Sequence, residues 1–346
     1  MYQNTAAIIR HDLNAFVEEA AKSDAHLIGD KVLPQYSTNA RAGIYPRIEI
    51  STGELLKKDS TLRAPTGTYN ETTRKFKTAT YECLDRGLEE RIDDVLVKDY
   101  DKFFDVEVLT SKLIMRTLKM DFESRVFGTL QNTGNNATTI YAGDTGTYGT
   151  GANQAWGSEA NIANLDFAKL LMDSIKALTK MGETPNTLVL SSTQWNYIRR
   201  LAKLNTFLYG NLGSGVGYKL INDQDIAKSF GIKNVYISHA YYDTNPRMST
   251  TTSLASIWNK ESAWLGNVQG GEISGGGFGR TFVWTKDGGL FNTETYRSEP
   301  RRGDMIRVRH HTSELVVNKN AGVFIDFKNA SSGTANTGWA LGQWND

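Results

Sequence analysis

Cysteine is almost missing: Cys83 is the only one in 346 residues. A single thiol cannot close an intrachain disulfide, so stability must come from packing and subunit contacts, and the chain suits a reducing cytoplasm. An excess of either charge is missing too. Lys and Arg number 39 and Asp and Glu 38, a net charge of +1 that excludes global attraction to nucleic acid and confines any DNA contact to local patches. No uncharged apolar run approaches the roughly 18 residues that a membrane-spanning helix needs, so no membrane partner is expected. The start, Met-Tyr-Gln-Asn-Thr, carries no basic leader, and its first apolar patch ends at Arg10, His11 and Asp12, so no signal peptide is expected.

Signatures of chemistry are absent as well. His11, His26, His239, His310 and His311 form neither HExxH nor a Cys/His cluster. His310 and His311 are adjacent in an alternating strand and point to opposite faces. The glycine-rich run 210–219 is no phosphate loop, since Lys219 does not follow a glycine and Leu220 stands where Ser or Thr belongs. The run 270–279 lacks GxGxxG spacing, and no Ser sits in GxSxG. Sequence alone pairs no carboxylates across a cleft. No catalytic residue, cofactor or metal is therefore expected.

What is present begins with Ile9, Leu13, Phe16, Val17 and Ala20 at helical spacing, opposite Asp12, Glu18 and Glu19. From Ile44 the period changes to two, with Ile44, Pro46, Ile48 and Ile50 on one side and Tyr45, Arg47 and Glu49 on the other. A turn at Ser51 to Gly53 and a second extended run, 74–81, complete a long polar two-stranded arm. A hairpin this poor in apolar residues is marginal alone and needs a surface to lie on, most simply a neighbouring copy. Phe103, Val106, Leu109, Leu113, Leu118, Phe122, Val126 and Leu130 then predict one long spine helix over about 100–130. Residues 132–158, rich in Gly, Thr and Asn, read as a surface insertion.

Helix and strand signals alternate after that. Asn164 is placed to cap a helix with Leu165, Leu171, Ile175 and Leu178 on its buried stripe, ended by Gly182. A strand at 187–190, helices at 192–204 and 223–230, and a strand at 235–238 follow, making a compact α/β lobe. From Gly279 short alternating runs separated by turn residues predict antiparallel strands containing Phe282, Trp284, Ile306, Val308, Val316, Val323 and Ile325. The spine has no partner nearby in sequence, so this late sheet is expected to cover it, with the α/β lobe inserted.

That order resembles the Johnson fold of tailed-phage major capsid proteins, an α+β architecture. Two stretches add to the likeness. Residues 181–195 (MGETPNTLVLSSTQW) look like the opening of that family's axial domain, and Gly289 through Asp304 to Ile325 look like its closing peripheral strands. The resemblance implies residues 1–44 as an N-terminal arm, 45–85 as the extension loop, 86–159 as the first part of the peripheral domain, 160–280 as the axial domain and 281–346 as the second peripheral part. The run 270–279 becomes a hinge or loop near the capsomer axis. The resemblance further implies hexamers and pentamers that close into an icosahedral or prolate shell around double-stranded DNA, in a virion assembled in the host cytoplasm. A portal and a decoration protein are implied partners. The short stretch before the extension loop implies a separate scaffolding protein, and no Lys to Asn cross-link is assigned.

Candidate intersubunit contacts are Ile48, Ile50, Glu54, Lys57 and Lys58 on the arm and Arg297, Arg301 and Arg302 in the densest basic run, which also holds Arg307 and Arg309. That run is expected to meet acidic residues of a neighbouring copy in preference to DNA. Two other readings remain: an encapsulin-type nanocompartment of the same fold, and a carbohydrate-binding or glycan-cleaving protein that uses some of the seven Trp, although Trp more often anchors a core or interface.

Overall fold

The computed structural model describes residues 8–10, 13, 26–47, 62–63, 65, 67–69, 77–100, 105–142, 148, 165–210, 219–245, 250–259, 262–273, 276–286 and 291–327. Two large sheets organise them. The first is built on β14 (Gly303–Val316), a strand of 14 residues that is long enough to serve several partners. One edge pairs antiparallel with β13 (Asn292–Ser298) and then β12 (Gly279–Trp284); the other pairs with β5 (Leu84–Asp93). β2 (Gln35–Thr38) extends the sheet parallel to β12, and β1 (Ile8–Ile9) adds to β13. At the turn between β13 and β14, Arg302 adopts φ 47°, and Gly303 follows where a Cβ would lie 2.3 Å from the Ile92 carbonyl oxygen.

α1 (Gly29–Val32) and α2 (Asp94–Tyr100) precede the spine helix, α3 (Val106–Gln131). Asp105 caps the spine by accepting from the amides of Glu107 and Val108. Val106, Ile114, Met115 and Leu118 bury against Ile92, Ile306 and Val308, so the late sheet does cover the spine. The spine starts later than expected: the chain up to Tyr100 forms α2. Its stripe also differs from the expectation, since Leu109 and Leu113 are exposed while Thr110 and Ser111 are buried.

The second sheet runs in the order β6 (Thr138–Tyr141), β15 (Gly322–Asp326), β11 (Ser262–Gly266), β7 (Thr187–Ser191), β8 (Asn234–Ser238). α4 (Phe167–Lys180), α5 (Ser192–Ile198), α6 (Ala202–Tyr209) and α7 (Asp223–Phe230) pack with it around Leu170, Leu171, Leu188, Leu190, Ile198, Leu265 and Ile325. Asp166, not Asn164, accepts the capping bond of α4, from the Lys169 amide. The single helix expected over 192–204 is two, broken at Arg199 to Leu201.

Three further expectations change. Residues 132–158 are not wholly a surface insertion: β6 lies parallel to β15, and Asn136, Ala142 and Tyr148 are buried. β15 joins this second sheet and not the late antiparallel one, because its Val323 and Ile325 complete the α/β core. Ile9 pairs as a strand with Glu294, while the rest of the expected N-terminal helix, apart from Arg10 and buried Leu13, lies outside the described residues. β9 (Tyr241–Asp243) and β10 (Leu254–Ser256) form a small ribbon. A shared core containing Ile28, Leu33, Phe122, Val126, Val189, Trp258, Trp264, Phe278 and Phe324 fuses the two sheets' layers.

Candidate assembly surfaces

The arm leaves the body as a hairpin of β3 (Ala42–Arg47) and β4 (Lys77–Glu82), in register from Ala42 opposite Glu82 to Arg47 opposite Lys77. Its base is tied to its own chain. Tyr36, Tyr45 and Tyr81 surround buried Phe282 of β12 with ring centroids 5.1, 5.4 and 4.8 Å away. The Tyr45 hydroxyl donates to the Val316 carbonyl at 3.1 Å. Cys83, fully buried at the end of β4, has its thiol pKa pushed up to about 11 by burial, which keeps it protonated and unreactive. The period-two pattern of the sequence is present with its faces reversed: Tyr45 points inward, and Ile44 is 71% exposed. Aromatic rings on β2, β4 and β12 make a better pocket for Tyr45 than any aliphatic partner offers Ile44. Farther along the chain, Leu62 and Tyr69 are also exposed, with Arg63 over the Tyr69 ring. Ile48, Ile50, Glu54, Lys57 and Lys58 lie outside the described residues.

The basic run is mostly neutralised within the chain. Arg297 holds Asp94 through two parallel hydrogen bonds of 2.6 and 2.7 Å and also reaches Glu299 and Asp304. Its guanidinium keeps the Asp94 carboxyl below the usual carboxylate range. Arg307 and Arg309 converge on Glu294, at 2.7 and 2.6 Å. Burial raises the Glu294 pKa, but those two cations more than offset it, and the net shift is downward. Arg297 is therefore occupied by its own subunit, a role the sequence could not reveal because Asp94 lies about two hundred positions away. Arg301 and Arg302 are exposed, and their guanidinium groups make no hydrogen bond or ion pair among the described residues.

The spine carries two polar clusters that sequence reasoning missed. Arg125 bridges Asp121, Glu314, Thr312 and His310 between helix and sheet. As arginine only donates, the His310 Nε2 accepts, and burial beside that cation drives the His310 pKa down to about 3. The second cluster centres on buried Glu123, which receives the Ile28 and Gly29 amides at the start of α1 and the Trp258 indole. His311 sits on the opposite face of β14, against Trp284 and Asp85, so the two His do part as expected. Within the glycine run, Gly276 and Gly279 offer backbone carbonyls to Arg280, which is buried. Trp195, Trp258 and Trp264 are buried, which removes them from any sugar-binding face. Among the described residues, no group of three His, Cys, Asp or Glu could hold a metal, and no helix is long and apolar enough to cross a membrane.

Comparison with known proteins agrees with this architecture. A phage-related protein from Bordetella bronchiseptica RB50 superposes with a TM-score of 0.66 at 15% identity, over 93% of this chain and 98% of that one. The capsid of cyanophage P-SCSP1u gives 0.54 at 13% identity, over 94% and 89%. A virus-like particle from Pyrococcus furiosus gives 0.54 at 10% identity, over 91% and 98%. At these identities the likeness shows the fold alone. No curated protein sequence matches the chain. Residues 86–325 match the family model described as phage capsid protein, a span containing the spine, both sheets' central strands and the α/β layer. The chain thus belongs to the phage capsid protein family and is a shell-forming major capsid protein with the Johnson fold.

Proposed function

We propose that copies of this chain form hexamers and pentamers that close into an icosahedral or prolate head around double-stranded DNA, with the β3–β4 arm reaching onto a neighbouring copy. The observation that carries this reading is the arm itself. Its base is fixed by Tyr45 and Tyr81 packed on Phe282 beside Tyr36 of β2, while Ile44 and, beyond the strands, Leu62 and Tyr69 present apolar surface to solvent. Exposed apolar area on a rigidly rooted projection gains free energy only when a second surface covers it. Ile48, Ile50, Glu54, Lys57 and Lys58 continue that arm and are its proposed contacts. Arg301 and Arg302 are proposed to meet a neighbour's acidic residues, with Arg297 holding their turn in place.

In this reading residues 1–44 are the N-terminal arm, 45–85 the extension loop, the β14 sheet with α3 the peripheral domain, and the sheet containing β7 and β11 the axial domain. β6 and β15 join the axial sheet from outside the sequence limits first expected for it. The role is structural and not enzymatic, assembly takes place in the host cytoplasm, and the completed head adds a portal, a scaffolding protein during assembly and a decoration protein. The test is negative-stain microscopy of the expressed chain, with and without its neighbouring gene products, combined with nuclease-protection analysis of particle contents. Closed shells support the reading; a small discrete oligomer under every condition refutes it, and an enzyme cargo in place of DNA would identify a nanocompartment.

A further inference from the structure

Between the two sheets the described chain crosses three times: at 132–137 from α3 to β6, at 267–273 and 276–278 from β11 to β12, and at 317–321 from β14 to β15. All three crossings meet in one polar knot. The Ala137 amide donates to Gly322, Asn267 to Ala321, Phe278 to Asn267, and the amides of Val317 and Asn318 both donate to the Phe278 carbonyl. Asn136 in the first crossing accepts the Trp264 indole at 3.0 Å. Asn186, just before β7, exchanges two bonds of 2.8 Å with the main chain of Val268. Glu183 joins the two later crossings: one oxygen accepts from the Asn267 side chain at 2.9 Å and the other from the Asn318 side chain at 2.7 Å.

Space is as restricted as bonding. A Cβ added at Gly266, Gly279 or Gly322 would lie 2.3, 2.6 or 2.5 Å from its nearest neighbour. Arg280 stiffens the longest crossing, donating to the carbonyls of Gly276 and Gly279 at 2.8 Å while 0% exposed. A joint made this way has one arrangement. It cannot pivot without stranding several buried amides at once.

We propose that this knot fixes the angle between the peripheral and axial layers, with Glu183 as its positioning residue, and that this angle sets the curvature of the assembled shell. The proposal rests on the shell-forming role. A closed shell of hexamers and pentamers requires the contact angles of its copies to stay within a narrow range, because an error repeated around the particle prevents closure. Only a carboxylate can accept two side-chain amides through two separate oxygens; glutamine in its place turns an NH2 group towards one of the donors.

The experiment compares the full chain with Glu183→Gln and Glu183→Ala. Both variants are expected to keep the wild-type circular dichroism spectrum. Amide hydrogen exchange over 267–278 and 317–321 is expected to rise by about tenfold to a hundredfold in Glu183→Ala, and by less in Glu183→Gln. By electron microscopy the shells of the alanine variant should spread in diameter or fail to close. Unchanged exchange at both crossings overturns the proposal whether or not the variant assembles. Uniform shells of wild-type diameter from a variant whose crossings exchange rapidly also overturn it. Failure of the unaltered chain to form shells strikes instead at the shell-forming reading beneath it.

Discussion

Replacing Glu123 by alanine is the sharpest test of how the spine organises its surroundings. The carboxylate sits on α3 and accepts the Trp258 Nε1 at 2.6 Å, the Gly29 amide at 2.6 Å and the Ile28 amide at 3.1 Å. It is 0% exposed, and burial pushes its pKa above the ordinary carboxylate value even though the three donors pull the other way. Glu123→Ala strands three buried N–H groups, each costing about 1–3 kcal/mol, for a total of about 2–6 kcal/mol once one is rehydrated. An unfolding entropy of about 2.1 cal/mol/K per residue gives about 0.7 kcal/mol/K for this length, so Tm should fall by about 3–8 °C. Trp258→Phe removes one donor and keeps most of the ring. The double variant should therefore lose less than the sum of the singles, since no indole N–H remains to be orphaned. Differential scanning calorimetry measures all three. A Tm drop below about 1 °C for Glu123→Ala, or strict additivity in the double variant, would refute the reasoning.

Other expectations follow from the same physics. His310, with its folded pKa near 3 against an ordinary 6.5, binds a proton less readily in the folded chain than in the unfolded one, so stability falls as pH drops between those values. His310→Gln should flatten the pH dependence of unfolding free energy over that window by up to about 1.4 kcal/mol per pH unit, and an unchanged slope in chemical denaturation would count against it. Glu294 has a lowered pKa, so its contribution is present above the ordinary carboxylate range and is lost as pH falls through the depressed value. Glu294→Gln should cost about 2 kcal/mol at neutral pH, with the gap to wild type narrowing in acid, as chemical denaturation would show. Gly303→Ala should disrupt the β13–β14 turn, because its Cβ would meet the Ile92 carbonyl oxygen at 2.3 Å, and limited proteolysis at 299–304 would report it.

Local signals were legible where local chemistry decides. α7 spans Asp223–Phe230 as read, because Asp225 bonds the Asn222 amide at its start and Gly231 takes φ 68° at its end. β7 was equally clear as a run buried on both faces. Pattern reading failed where long-range packing chose the face. Leu109 and Leu113 fit the spine's spacing yet face solvent, while Ser111 and Glu123 are buried because sheet, α1 and Trp258 meet them. The pairing of β6 with β15 joins residues far apart in sequence, and nothing in a Gly/Thr-rich stretch announces it. The arginine run looked like a free basic patch because Asp94, which holds Arg297 through two hydrogen bonds, lies on another element far away in sequence, and strand pairing is what brings Glu294 of β13 against Arg307 and Arg309 of β14.

The arm gives the most direct test. Arg47 and Lys77 face each other at the last described pair of the hairpin, so residues 48–76 can be replaced by Asn-Gly, a two-residue turn suited to joining such strands. Electron microscopy of this variant beside the unaltered chain, with thermal unfolding as the control for folding, reads the outcome. A folded variant that forms no shells where the parent does is the expected result; shells of parental diameter from the armless chain would contradict the account.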